Sequence, residues 1–171
     1  MIYPTDSYIN RQRASKIKLL VSDNDGVFTS GSIYVFRDNE EDLQRFNVLD
    51  GAVFATLQQH GIQIAVISGR NSVATHNRFT KLKADYLHLG IENKIIVLSE
   101  IVRSLNLEWS EVAYIGDDLI DLECINTVGL SFAPDNAIDI IKKQVSYVCN
   151  KSGGNGVFRE VADYILQAQQ Q

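Results

Sequence analysis

The chain has 171 residues, 45% of them hydrophobic and 22% charged, with a formal net charge of −5 at pH 7. This is enough for one compact domain with its own core, and the acidic balance excludes the basic footprint of a nucleic-acid-binding domain. No apolar run nears the roughly 18 residues of a membrane span, and residues 1–18 lack the apolar centre of a secretory signal. The two cysteines, Cys124 and Cys149, form neither a zinc pattern nor a disulfide framework. A cytoplasmic protein with reduced, packed thiols is expected.

A polar lead-in over residues 1–15, helical from Ser7, precedes the apolar run Leu19, Leu20, Val21. That run reads as a buried parallel strand, and it delivers Asp23 and Asp25 to its C-terminal end. Residues 31–48 read as a β-hairpin, with Ile33, Val35 and Phe36 in one strand and 43–48 as the other. A lone hairpin is marginal in water, so this one needs a partner. Asp50 is expected to cap a helix over 51–60, which Gly61 stops.

Further along, strands are expected at 62–67, 86–89, 112–116, 128–132 and 147–148. Helices are expected from Ser72 to about Leu82, then over 92–105, to about Asn126, over 137–143 and over 157–167. The loop 152–156 is glycine-rich, and 151–171 forms a C-terminal loop and helix. With no repeat and no linker, residues 1–171 read as a single domain. Strands alternating with helices predict an α/β fold: a doubly wound, mostly parallel sheet with helices on both faces, a protruding β-hairpin and no cap domain.

Four signals stand at the C-terminal ends of expected strands: Asp23 with Asp25; Ser68-Gly69-Arg70; Lys94; and Gly116-Asp117-Asp118 with Asp121. In open α/β sheets that edge is where ligands bind. Carboxylate pairs separated by one residue repel unless a cation lies between them, and Mg²⁺ prefers such oxygen donors. Carboxylates, a hydroxyl and a lysine together suit metal-assisted phosphoryl transfer.

The ordered set Asp23-Asn24-Asp25-Gly26-Val27, Ser68, Lys94 and Gly116-Asp117-Asp118-x-x-Asp121 resembles the haloacid dehalogenase-type phosphatases. The resemblance implies that Asp23 is the nucleophile, that Asp25 is the general acid and base, and that Lys94 and Ser68 hold phosphoryl oxygens. It implies Mg²⁺ between Asp23, the Asp25 carbonyl and Asp117, with Asp118 and Asp121 orienting around the ion. Asn24 occupies a position that is often apolar in the family, and its side chain is expected to point away from the site. Residues 31–51, ISGR at 67–70, the Arg78 spacing, Gly90 to Lys94, IGDDLIDL and SGGNGVFRE are similar to the small capless branch that hydrolyses 3-deoxy-D-manno-octulosonate 8-phosphate in lipopolysaccharide synthesis.

That branch implies a homotetramer associating through the 31–48 hairpin. It also implies substrate contacts from Asn47, Asp50, Gly51, Gly69, Arg70 and Arg78. Leu49 and Ala55 stand where the branch carries basic residues, so a nonulosonate 9-phosphate is the alternative substrate. A catalytically silent phosphatase-like module is the alternative from another class. The retained Asp23, Asp25, Lys94 and Asp117 speak against it.

Overall fold

A computed structural model describes residues 4–34 and 43–170 of the chain. Its framework is a six-stranded sheet: β1 (Leu19–Ser22), β2 (Gln63–Ser68), β3 (Tyr86–Leu89), β4 (Val112–Ile115), β5 (Leu130–Ala133) and β6 (Tyr147–Val148). The spatial order is β3-β2-β1-β4-β5-β6, and every pairing is parallel. β1 and β4 are buried along their whole length, which is why both read as continuous apolar runs rather than alternating ones.

Helices cover both faces: α1 (Tyr8–Ala14), α2 (Val48–Ala52), α3 (Phe54–Gln59), α4 (Val73–Leu82), α5 (Lys94–Ser104), α6 (Leu122–Thr127), α7 (Asp139–Gln144) and α8 (Val157–Gln169). Successive strand residues point to opposite faces and so feed two separate cores. Leu20, Ile64, Val66 and Ile115 pack with Phe28, Phe54, Phe79 and the α8 residues Phe158, Val161 and Ile165. Leu19, Val21, Ala65, Ile67 and Tyr114 pack with Leu98, Ile101 and Val102 of α5, Cys124 of α6 and Ile141 of α7. In the first core Phe28 sits at the centre, with ring centroids 4.5 Å from Phe158 and 4.7 Å from Phe79.

From β1 the chain winds outward through β2 and β3, then returns to place β4 on the other side of β1. The β1/β4 boundary is therefore the topological switch point, where the loops above the sheet part and leave a crevice.

The expected 51–60 helix is two pieces, α2 and α3, separated at Val53. Asn47 rather than Asp50 caps α2, its side chain accepting from the Leu49 N–H at 2.9 Å. Residues 35–42 of the expected hairpin lie outside the described residues. Its described flanks, 31–34 and 43–47, carry no strand, and Val48 opens α2 instead. The physical reason is local. Asn47 commits the backbone to a helix start, and Phe46 is drawn onto Phe79, their ring centroids 5.9 Å apart. Both cysteines are buried free thiols, and no helix of the described residues is long and apolar enough to cross a membrane.

Candidate active site

The nucleophile loop grows directly out of β1. The Asp23 N–H continues the ladder, donating to the Ile115 carbonyl at 3.0 Å, and the Asn24 carbonyl then gathers the N–H groups of Val27, Phe28 and Thr29. Gly26 holds φ +88°, and a Cβ there would lie 2.0 Å from Asp117 Oδ2, so only glycine permits the close approach of the loop after β4. From the other side the glycine-rich loop before α8 presses on the same turn. A Cβ on Gly153 would stand 1.8 Å from the Gly26 carbonyl oxygen, and the Gly154 N–H donates to the Val27 carbonyl at 2.8 Å.

A pocket of about 270 Å³ opens above the β1/β4 boundary, lined by Asp23, Asp25, Gly31, Ser68, Gly69, Arg70, Lys94, Asp117, Asp118 and Ile120. Eight residues expected from sequence thus meet in one place: Asp23, Asp25, Ser68, Gly69, Arg70, Lys94, Asp117 and Asp118.

Lys94, the first residue of α5 and 1% exposed, is its electrostatic centre. Its ammonium donates to Asp121 Oδ1 at 2.7 Å and lies 2.9 Å from Asp23 Oδ1. Burial pulls the lysine down, but Asp23 and Asp121 outweigh it and hold the group above its ordinary value. Burial, followed by the charge of Asp121, pushes Asp23 up to about 8 against the pull of Lys94. Burial and the charges of Asp121 and Asp118 push Asp117 up to about 7. The carboxylates are therefore short of positive charge.

Asp23, Asp117 and Asp121 each offer an oxygen within 4.8 Å of one another. The three are not equivalent. Asp121 is fully committed: Oδ1 accepts from Lys94 and the Tyr114 hydroxyl, and Oδ2 from the backbone N–H groups of Asp117 and Asp118. Asp117 Oδ1, by contrast, is buried with no hydrogen-bond partner among the described residues. An orphaned buried acceptor facing a second raised carboxylate is what a hard divalent cation would satisfy. Asp121 anchors the lysine and the loop after β4.

Asp25 stands beside this group. Its Oδ1 lies 3.8 Å from Arg70 Nη1 and accepts from Gln44 Nε2 at 3.3 Å, while its Oδ2 is buried with no partner among the described residues. Asn24 turns away from the pocket, donating to Thr75 Oγ1 of α4 at 3.2 Å.

Four expected substrate contacts do not line this pocket: Asn47, Asp50, Gly51 and Arg78. Asp50 is 1% exposed, Oδ1 accepting from the Arg159 N–H of α8 at 2.8 Å and Oδ2 buried with no partner among the described residues. Burial raises it to about 6, against the backbone N–H groups of Arg159 and Gly156, the charge of Arg78 and the Phe158 N–H. Gly51 makes room for Arg78, since a Cβ there would lie 2.5 Å from Arg78 Nη2, and the guanidinium carbon sits 5.8 Å from the Phe46 ring centroid. Asn47 is spent on the α2 cap. Conversely, the sequence reading missed Gln44, assigned to a hairpin strand, and Tyr114, read as plain strand core. A tyrosine three residues before Asp117 on a buried strand was the one available signal for the latter.

A family model for haloacid dehalogenase-like hydrolases matches residues 88–161. The chain is 40% identical over 158 residues to the 3-deoxy-D-manno-octulosonate 8-phosphate phosphatase KdsC of Yersinia pestis, covering 92% of this chain and 84% of that one. A crystal structure of the phosphatase from Yersinia pestis superposes with a TM-score of 0.93 at 38% identity, covering 96% of this chain and 89% of that one. The phosphatase of Moraxella catarrhalis, solved with magnesium, phosphate and 3-deoxy-D-manno-octulosonate, superposes with a TM-score of 0.90 at 35% identity over 94% of this chain and 92% of that one. An all-parallel sheet with its acidic crevice at the β1/β4 boundary, together with this likeness along nearly the whole chain, leads to one conclusion: the chain belongs to the haloacid dehalogenase-like hydrolases, in the branch of its KdsC relatives.

Proposed function

We propose that the chain is a Mg²⁺-dependent phosphatase that hydrolyses 3-deoxy-D-manno-octulosonate 8-phosphate through an aspartyl-phosphate. The observation that carries this reading is the buried Lys94 bridging Asp23 and Asp121 beside the orphaned Asp117 Oδ1. A magnesium ion held by Asp23, Asp117 and the Asp25 carbonyl would neutralise charge on the phosphoryl oxygens.

The chain's own groups do the rest. An Asp23 carboxylate oxygen bonds to phosphorus while the ester P–O bond breaks, and Asp25 gives its proton to the departing alkoxide. A water oxygen then bonds to the same phosphorus as the P–O bond to Asp23 breaks; Asp25 takes the water's proton, and inorganic phosphate leaves. Lys94 and Ser68 hold phosphoryl oxygens as charge builds on them. Arg70 is matched to the substrate's carboxylate by its planar fork.

The nonulosonate 9-phosphate reading rests on Leu49 and Ala55. Neither lines the Asp23 pocket, and Leu49 borders a separate groove along α8. Within one chain, their apolar character therefore takes no cation out of the site. A homotetramer is part of the same reading: Ile33, Tyr34 and Leu43, on the hairpin flanks, are roughly half exposed, an apolar surface that a second copy would cover. A single domain without a cap, acting in the cytoplasm, completes it.

The test is a comparison of the octulosonate 8-phosphate with nonulosonate 9-phosphates and hexose phosphates in Mg²⁺. Preference for the first, abolished in a folded Asp23→Asn variant, is expected. Preference for a nine-carbon substrate would shift the assignment, and full activity of Asp23→Asn would remove the nucleophile.

A further inference from the structure

Behind the pocket lies a polar cluster that the reaction scheme above does not use. Asn24 and Thr75 are 0% and 1% exposed, yet both carry polar side chains at the base of the nucleophile loop and in the first turn of α4. Asn24 Nδ2 donates to Thr75 Oγ1 at 3.2 Å. Thr75 Oγ1 donates in turn to Gln44 Oε1 at 2.6 Å, and Asn24 Nδ2 also lies 3.5 Å from that oxygen. The remaining end of the Gln44 amide, Nε2, donates to Asp25 Oδ1 at 3.3 Å.

The direction of this chain is determined. An ionised carboxylate only accepts, so the NH₂ of Gln44 faces Asp25 and its carbonyl faces inward. That carbonyl then needs a donor from the buried side, and the Thr75 hydroxyl, itself accepting from Asn24, supplies one. Three polar groups from the nucleophile loop, the segment before α2, and α4 thus end on one oxygen of Asp25. The same oxygen lies 3.8 Å from Arg70 Nη1. The other oxygen, Oδ2, is buried without a partner among the described residues.

We propose that Gln44, set by Thr75 and Asn24, is a positioning residue for Asp25: its amide holds Oδ1 and so fixes the direction in which the carboxyl meets the leaving group. The carboxyl also loses the freedom to rotate about its side-chain bonds, which matters because proton transfer needs heavy atoms within about 3 Å of each other. The inference rests on the phosphatase reading and on Asp25 as its acid.

The experiment compares two phosphate monoesters in Mg²⁺: an alkyl ester, the octulosonate 8-phosphate, and an aryl ester, p-nitrophenyl phosphate, whose leaving group departs with little need of a proton. The quantity read is kcat/KM, which stops at transfer of the phosphoryl group to the enzyme. For Gln44→Ala, kcat/KM on the alkyl ester should fall about tenfold, part of the 10²–10⁴ that a placed acid supplies, while the aryl ester changes by less than about twofold. Thr75→Val, which removes the hydroxyl at constant shape and lies outside the pocket, should show the same selective loss, and Thr75→Ser should restore it. Equal losses on both esters, or no loss on either, would overturn the proposal. Wild-type protein inactive on both esters would overturn the phosphatase reading itself, a distinct failure that removes the proposal with it.

Discussion

Replacing Lys94 by methionine keeps the length of the side chain and removes its charge, so no cavity confuses the result. The ammonium lies 2.9 Å from Asp23 Oδ1 and 2.7 Å from Asp121 Oδ1, with the lysine 1% exposed. At an effective dielectric of about 20, each attraction is about 6 kcal/mol gross. Desolvation of three buried ions offsets much of this, and removing one member of such a cluster typically costs about 3–5 kcal/mol because the others are left uncompensated. Urea unfolding in EDTA should show a loss of that size above about pH 8, where Asp23 is ionised. The loss should shrink as pH falls through about 8, because Asp23, raised to about 8 with the lysine present, takes up a proton and relieves the charge. A Lys94→Met/Asp121→Asn double variant should be less destabilised than the sum of its parts. In Mg²⁺, kcat should drop about 10²–10³-fold, as for loss of a donor to a developing charge. A loss of stability below about 1 kcal/mol, or a kcat within about tenfold of wild type, would refute the reasoning.

In metal-free protein, Asp23 and Asp117 titrate near 8 and 7 instead of 3.8. The folded state therefore holds more protons than the unfolded one, and stability in EDTA should fall as pH rises from about 4 to about 8. Mg²⁺ must displace those protons, so its apparent affinity should rise through the same upper range; calorimetry in buffers of different ionisation enthalpy should detect proton release, and pH-independent binding would contradict this. Asp50→Ala leaves the first turn of α8 without its acceptor and should cost about 1–3 kcal/mol in unfolding experiments, with substrate KM unchanged; Asp50→Asn, which keeps an acceptor, should be milder. Gly153→Ala puts a methyl 1.8 Å from the Gly26 carbonyl oxygen and should lower kcat by displacing the nucleophile turn, with little change in KM.

The central strands were legible because β1, β2 and β4 are short apolar runs ending at polar motifs, and burial on both faces demands that pattern. The pocket was legible for the same reason: Asp23, Ser68 and Asp117 follow strand ends, and parallel pairing brings strand ends together. What stayed hidden depends on contacts between segments remote in sequence. Asp50 looked like a cap for the next helix. It serves α8, whose first residue is Val157, and no local preference shows which helix end a carboxylate will meet. Arg78 had the right charge and spacing for an anion site, and only the folded chain shows its guanidinium beside Gly51 and 5.8 Å from the Phe46 ring centroid rather than among the residues lining the pocket. Gln44 was read into an alternating strand, and only the folded chain brings its amide to Asp25.

The central claim is that a carboxylate oxygen of Asp23 takes the phosphoryl group. Mixing the enzyme with the octulosonate 8-phosphate and Mg²⁺, quenching in acid within the first turnover and mapping the digest by mass spectrometry tests it directly. The account predicts one phosphoryl group on the peptide containing Asp23, absent from Asp23→Asn. Release of inorganic phosphate in a burst with no phosphorylated peptide, or with the group on another residue, would contradict it.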